Sequence, residues 1–229
     1  MKRKDDITPK LVFLFDSKLV KIKVMNYEIV LATNNPSKVN EIKAFFKDYT
    51  VTFLSLEDIK LKSHPKETGH TFLENALLKA KAVANHVNKT VVADDSGLQI
   101  DALKGFPGVY SSRWMNEKSY EEKNQEIIRL MASHKNRKAQ FTSAFVILYP
   151  HKEMRFFIGT TIGKISREIH QGNHGFGYDP IFYSDELGKS FSVATIEEKN
   201  TVSHRGKASE KLRQCLLDKK LITKIKRRS

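Results

Sequence analysis

Residues 27–33, Tyr-Glu-Ile-Val-Leu-Ala-Thr, form an apolar run with β-branched members, which predicts a buried strand. Asn34-Asn35-Pro36 breaks the run. Pro36 fits the first position of a helix, with Asn34 or Asn35 as its cap. Val39, Ile42, Phe45 and Phe46 then recur at helical spacing, while Lys38, Glu41 and Lys43 take other directions. A second strand is predicted over residues 51–54, followed by a polar loop containing Ser63-His64-Pro65-Lys66-Glu67-Thr68-Gly69. A longer helix over residues 71–86 carries Phe72, Leu73, Ala76, Leu77, Ala80, Val83 and Ala84 on a broad apolar stripe. Glu74, Asn75 and Lys79 lie off that stripe.

Residues 90–93 predict a central strand that ends in Asp94-Asp95-Ser96-Gly97, a run with good turn chemistry. Residues 98–103 predict another strand, and residues 119–133 a helix. Two long alternating stretches, 140–149 and 154–169, suit an antiparallel pair. A Gly-rich loop covers residues 172–179. A last helix begins near Ser203, with Ala208, Leu212, Cys215 and Leu216 on one face. Alternating strands and helices with a later antiparallel section define an α/β class, with room for two lobes around a cleft.

Composition narrows this picture. The chain has 229 residues, 40% of them hydrophobic, enough for one large packed domain or two small ones. No apolar run approaches the ~20 residues that span a bilayer. Leu11-Val12-Phe13-Leu14-Phe15 is short for a signal-peptide core and lacks a clear small-residue cleavage site after it. These features predict a cytoplasmic protein that does not bind membranes. The only cysteine, Cys215, excludes an intrachain disulfide and reads as a packed thiol.

The net charge of +14 invites a nucleic-acid partner, but its distribution argues otherwise. Residues 1–25 hold seven Lys/Arg against three Asp/Glu, and residues 219–229 hold six Lys/Arg and no acid. Most of the excess therefore lies at the ends, as solvated charge. The chain divides into an N-terminal extension, 1–25, a body, 26–218, and a basic tail, 219–229. Met25 stands just before the first strong strand and is a candidate natural start. The other reading of the extension is an added strand over residues 10–23 at a sheet edge.

Four clusters carry candidate chemistry. Thr33-Asn34-Asn35-Pro36-Ser37-Lys38 joins a strand to a helix N-terminus, where free N–H groups and the dipole suit a phosphate; simple capping explains the pattern about as well. Asp94 and Asp95 point to opposite faces of a strand, so one carboxylate can serve a site while its twin ties down the following loop. A fixed carboxylate there suits holding Mg²⁺ or activating a water. In Gly175-Phe176-Gly177-Tyr178-Asp179-Pro180 the glycines let the backbone bend closely. Phe176 and Tyr178 are placed to stack on a base, or to fold into the core, and Asp179 to accept from the base edge. Ser203-His204-Arg205-Gly206-Lys207 sets cations in a first helical turn, against the dipole, which makes sense if an anion or acceptor lies opposite.

Taken in order, these motifs resemble the Ham1-like inosine triphosphate pyrophosphatases. The marks are Thr33 to Lys38, Glu67-Thr68-Gly69 with Thr71-Phe72-Leu73-Glu74-Asn75-Ala76, Ala93-Asp94-Asp95-Ser96-Gly97-Leu98, Pro107-Gly108-Val109-Tyr110-Ser111-Ser112-Arg113, the Phe176 loop and Ser203-His204-Arg205-Gly206. The resemblance implies a two-lobed α/β fold on a long mixed β-sheet flanked by helices, with a central cleft, and usually a homodimer. It implies Mg²⁺-dependent hydrolysis of noncanonical purine nucleoside triphosphates (ITP, dITP, XTP) to the monophosphate and pyrophosphate. By motif, Thr33, Asn34, Asn35, Pro36, Ser37 and Lys38 hold the phosphates. Glu67 and Asp95 serve the metal, Asp95 is also the general base, and Ser96 touches substrate. Phe176, Gly177, Tyr178, Asp179, Lys199, His204 and Arg205 surround the nucleotide and its base. Asn34 and Ser37 stand where many relatives have Gly. A Maf-type pyrophosphatase is a second enzyme reading, opposed by the Ser-His-Arg and Gly-Phe-Gly-Tyr-Asp motifs. A nucleic-acid-binding module using the basic ends is the reading of a different class.

Overall fold

The computed structural model describes residues 26–173 and 175–225, and before them only two short paired strands. Met25, His174 of the Gly-rich loop and residues 226–229 of the basic tail lie outside the described residues. The elements are β1 (Leu11–Asp16), β2 (Leu19–Val24), β3 (Tyr27–Leu31), α1 (Pro36–Phe45), β4 (Val51–Leu54), α2 (Phe72–Ala84) and β5 (Thr90–Ile100). They continue with β6 (Phe106–Pro107), α3 (Tyr120–Leu130), β7 (Lys138–Leu148), β8 (Met154–Ile165), β9 (Phe182–Ser184), β10 (Lys189–Ser190), α4 (Ile196–Val202) and α5 (His204–Asp218). One mixed sheet of eight strands has the order β10-β9-β8-β7-β5-β3-β4, with β6 paired to β5. β3 runs parallel to β4 and β5, and the remaining neighbours pair antiparallel.

Strand alternation sorts the core. Ile29 and Leu31 of β3, Val92 of β5, and Phe145 and Ile147 of β7 face α1 and α5, where they meet Ile42, Phe46, Ala208, Leu212 and Leu216. Val30, Val91, Ala93 and Val146 face the other way, toward Ala76, Ala80 and Val83 of α2. A third cluster packs α3, through Ile127 and Met131, with Leu98, Ile100, Phe141, Ile165, Phe182 and Phe191. The clusters centred on α5 and on α3 form the two lobes. Each fully buried Ile, Leu or Phe contributes roughly 1.5–3 kcal/mol of transfer free energy.

The topology places a gap beside β5. The chain leaves β3 through α1 to reach β4, then crosses back through α2, on the opposite face, to β5. Open α/β sheets bind ligands at such a switch point. β3 last pairs at Leu31 opposite Val92, and β6 first pairs at Gln99. Between them one edge of β5 faces no strand among the described residues.

Four sequence readings change. The Asp-Asp-Ser-Gly run is not a strand end and turn: β5 continues through it, because β7 pairs with β5 from Val91↔Leu148 to Ile100↔Ala139. Gly97 serves close packing instead, since a Cβ there would lie 2.4 Å from Ser111 Oγ and 2.5 Å from the Gly108 carbonyl. In the extension, β1 and β2 pair with each other and neither joins the edge of the main sheet. The stretch after α5 begins as part of the body: Leu221 and Ile222 are buried beside Phe46, and Thr50 and Thr223 exchange hydrogen bonds. Finally, α4, capped by Thr195 and Glu198 in a capping box, stands where no helix is predicted.

Candidate active site

The gap beside β5 opens into a cavity of about 300 Å³. Thr33, Asn34, Asn35, Lys38, Glu67, Asp95, Ser96, Phe176, Gly177, Tyr178, Asp179, Lys199, His204 and Arg205 all line it. Of the sequence-predicted residues, Pro36 and Ser37 do not. They belong to the capped first turn of α1, where the Asn35 carboxamide accepts from the backbone N–H groups of Ser37, at 3.0 Å, and Lys38, at 3.4 Å. Those two amides are therefore engaged by the cap, one of the two alternatives the sequence left open. Lys38 brings its side chain.

Alternation along β5 assigns the two aspartates. Asp95 shares its face with Val91 and Ala93, toward α2. There it accepts from Lys79 Nζ at 2.9 Å and Asn75 Nδ2 at 3.2 Å. Asn75 also uses its Oδ1 to hold the Gly69 N–H, at 2.8 Å, so the loop that carries Glu67 is tied to the same residue. Lys79 reaches Glu67 at 3.1 Å, and Glu67 also pairs with Arg113. Asp94 shares its face with Val92, toward α1 and α5. It pairs with Lys38 at 3.1 Å and with Arg205 at 3.2 Å. Its partners are thus cavity-lining cations, not the loop that follows it.

Glu41 completes the arrangement. It is buried on α1 and accepts from Lys199 Nζ at 2.7 Å and from Arg205. Lys199 also donates to Asp179 at 2.7 Å, and Arg205 to Ser96 Oγ at 2.8 Å. Asp179 in turn accepts from the Phe176 N–H at 2.7 Å, so it shapes the Gly-Phe-Gly loop with a carboxylate already occupied. Gly175 has φ +85° and Gly177 φ +68°, which glycine tolerates without strain. The Phe176 ring lies 5.0 Å from Lys199 Nζ and 5.7 Å from the Arg205 guanidinium carbon. Tyr178 packs inward, with its hydroxyl donating to the Ser111 carbonyl at 2.9 Å, and so behaves as a core residue at the cavity wall.

Burial and neighbouring charge set the protonation states. Burial works against the charged form of Asp94, but Lys38, Arg205 and Lys79 outweigh it and hold its pKa far below the usual carboxylate range. Burial likewise opposes Lys79, and Asp95, Asp94 and Glu67 together raise its pKa. Burial also opposes the Lys199 charge, and Asp179 and Glu41 overcome it. His204 is pushed well below its ordinary value by burial and then by Arg205 and Lys199. It is therefore neutral, stacks on Phe141 at 4.7 Å, and leaves Nδ1 buried without a hydrogen-bond partner among the described residues.

Glu41, Asn75 and Lys79 stand outside the sequence reading of the site, because each lies off an apolar stripe and reads as solvated. Asn75 and Lys79 do share a helical face at i,i+4 spacing, a signal that two polar residues serve one point.

A cleft at the switch point of an open α/β sheet, lined by carboxylates, cations and aromatic rings, Phe176 among them, defines a site for a phosphorylated ring compound. The Ham1 family profile matches residues 29–215, and this chain belongs to that family. A dITP/XTP pyrophosphatase from Thermoanaerobacter sp. (strain X514) is 42% identical over 196 residues, covering 83% of this chain and 96% of that protein. One from Staphylococcus epidermidis (strain ATCC 12228 / FDA PCI 1200) is 43% identical over 192 residues, covering 82% and 96%. The solved Staphylococcus aureus Ham1 protein superposes with a TM-score of 0.75 at 39% identity, over 84% of this chain and 99% of its own. A HAM1 protein from Coxiella burnetii gives a TM-score of 0.76 at 35% identity, over 84% and 99%.

Proposed function

We propose that this protein is a nucleoside triphosphate pyrophosphatase that hydrolyses ITP, dITP and XTP to the monophosphate and pyrophosphate. The observation that carries the base preference is the donor inventory around Phe176. Lys199 has three N–H bonds, and Glu41 and Asp179 take two. Arg205 has five, and Glu41, Asp94 and Ser96 leave one unused. A 6-oxo purine stacked on Phe176 accepts from such donors. Adenine presents an amino group at that position and leaves them unpaired, a penalty of the kind that produces large discrimination.

At the other end, the balance of the ion pairs supports a role for a metal ion. Lys38, Lys79, Arg113, Lys199 and Arg205 are matched one for one by Glu41, Glu67, Asp94, Asp95 and Asp179. A triphosphate brings negative charge that this neutral network does not offset. Glu67 and Asp95 converge on one cation, Lys79, and offer hard oxygen donors of the kind that hold Mg²⁺ together with substrate phosphates. When bound, Mg²⁺ supplies charge masking on the phosphates. Asp95, its carboxylate fixed by Asn75 and Lys79, orients the attacking water and takes its proton. Lys38 and Lys79 steady the phosphates, and Ser96 and Arg205 stand between the phosphate and base ends.

We further place the enzyme in the cytoplasm, with its nucleotide substrates, as a homodimer with no specific nucleic-acid partner. The observation favouring a dimer is one exposed face of β8, where Met154, Phe156, Ile158 and Ile162 alternate along the strand. Among the described residues, no helix is long and apolar enough to cross a membrane.

The test is a pyrophosphate-release panel with ITP, XTP, dITP, ATP, GTP and dTTP, with and without Mg²⁺. Pyrophosphate from ITP and XTP, with ATP much poorer, is the expected result. Orthophosphate as the product, or equal turnover of ATP and ITP, overturns the proposal. Sedimentation of the wild type and Phe156→Glu checks the dimer.

A further inference from the structure

The loop between β4 and α2 brings a histidine to the phosphate end of the cavity. Ser63, His64 and Pro65 line it together with Asn34, Asn35 and Lys38. Asn34 fixes the ring chemistry. Its Nδ2 lies 2.8 Å from the Ser63 carbonyl, which only accepts, so the amide nitrogen is set on that side. The same nitrogen lies 3.3 Å from His64 Nδ1, so Nδ1 is the acceptor there. A neutral imidazole accepting at Nδ1 carries its proton on Nε2. Asn34 thereby prepares a donor at Nε2.

That donor adds to the Lys38 ammonium, because the nearest backbone amides are already engaged. The Ser37 and Lys38 amides are taken by Asn35, and the Lys38 ammonium is shared with Asp94. His64 pairs with no carboxylate among the described residues, whereas every cation of the ion-pair network does. We propose that His64 is a further substrate-binding residue, whose Nε2–H donates to a phosphate oxygen of the nucleotide, and that Asn34 is the positioning residue that selects its tautomer. This deepens the triphosphate reading above and rests on it for the identity of the substrate.

The experiment uses the full chain and two readouts. Calorimetric titration with inorganic tripolyphosphate reports phosphate binding without turnover, and steady-state kinetics with ITP separates KM from kcat. His64→Ala is expected to weaken tripolyphosphate about tenfold and to raise KM for ITP by a similar factor, with a much smaller change in kcat, as for loss of one hydrogen bond to a charged group. His64→Gln keeps an N–H donor and is expected to recover part of the loss. Asn34→Gly frees the ring and is expected to give part of the His64→Ala defect. The double variant is expected to be no worse than His64→Ala, because the two residues act through one contact. Tripolyphosphate binding that is absent, or unchanged in His64→Ala, overturns the proposal. Equal losses in His64→Ala and His64→Gln with a lowered Tm also overturn it, by making His64 a loop-packing residue. A wild type that binds tripolyphosphate through His64 but leaves ITP intact keeps this contact and retires the hydrolase reading.

Discussion

Asp94 and Asp95 differ by one position and by almost everything else. Asp95 lines the cavity, and its Asn variant loses both the charge and the basicity. Asp95→Asn is expected to lower kcat for ITP at least ~100-fold with the fold intact, measured by pyrophosphate release beside circular dichroism. A folded variant with near-normal turnover would remove Asp95 from the chemistry. Asp94 is buried under Lys38 and Arg205, and Asp94→Asn leaves both cations short of a partner. The expected loss of stability is ~3 kcal/mol or more by denaturant titration, far above that of a loop residue. The same pair gives a pH signature. The folded pKa of Asp94 is depressed, so its contribution is fully present above the unfolded value of about 3.9 and falls away as pH drops toward the folded value. Wild-type stability should therefore decline more steeply between about pH 5 and pH 2 than that of Asp94→Asn. At this scale the sequence reveals the residue types at motif positions. It hides Glu41 and Lys79, because a charged residue off an apolar stripe is usually solvated, and only the assembled fold shows a buried partner.

Elements carry these residues to the cavity, and two contacts between elements are testable. Asn124 of α3 donates to the Gly177 carbonyl at 3.0 Å and so braces the loop that presents Phe176. Asn124→Ala is expected to cost about 1–2 kcal/mol and to raise KM for ITP more than it lowers kcat. An unchanged KM in a destabilised variant would make that bond purely structural. Gly159 of β8 lets the first turn of α5 lie against the sheet: a Cβ there would sit 2.0 Å from the His204 carbonyl. Gly159→Ala should push that turn, and with it His204 and Arg205, away from the sheet. A loss of about 1–3 kcal/mol, together with weakened ITP turnover, is the expected result of calorimetry and kinetics. Long periodic elements such as α2 and β7 are legible from pattern alone. β5 is not, because Asp-Asp-Ser-Gly carries turn chemistry that pairing with β7 along its whole length overrides. α4 is too short for periodicity to register, and its evidence lies in the Thr195–Glu198 box.

For the whole molecule, the arrangement of parts decides what can be removed. β1 and β2 form their own hairpin, outside the order of the main sheet. Among the described residues, every one that lines the cavity follows Leu31. A chain beginning at Met25 is expected to keep ITP hydrolysis within about twofold of the full protein, with melting temperature and sedimentation measured alongside. A folded truncation with lost activity would show that the extension reaches the cavity. The long central strands carry one more consequence. β5, β7 and β8 span 11, 11 and 12 residues, and β7 pairs along nearly its whole length with both neighbours. The floor of the cleft is therefore one stiff plate shared by both lobes, with no joint at Ser96-Gly97 on which they could swing. Nucleotide entry must be accommodated at the rim, by the loop around His64 and the loop around Phe176. Amides along β5 and β7 should exchange slowly with or without nucleotide, while those of the two rim loops respond to its arrival.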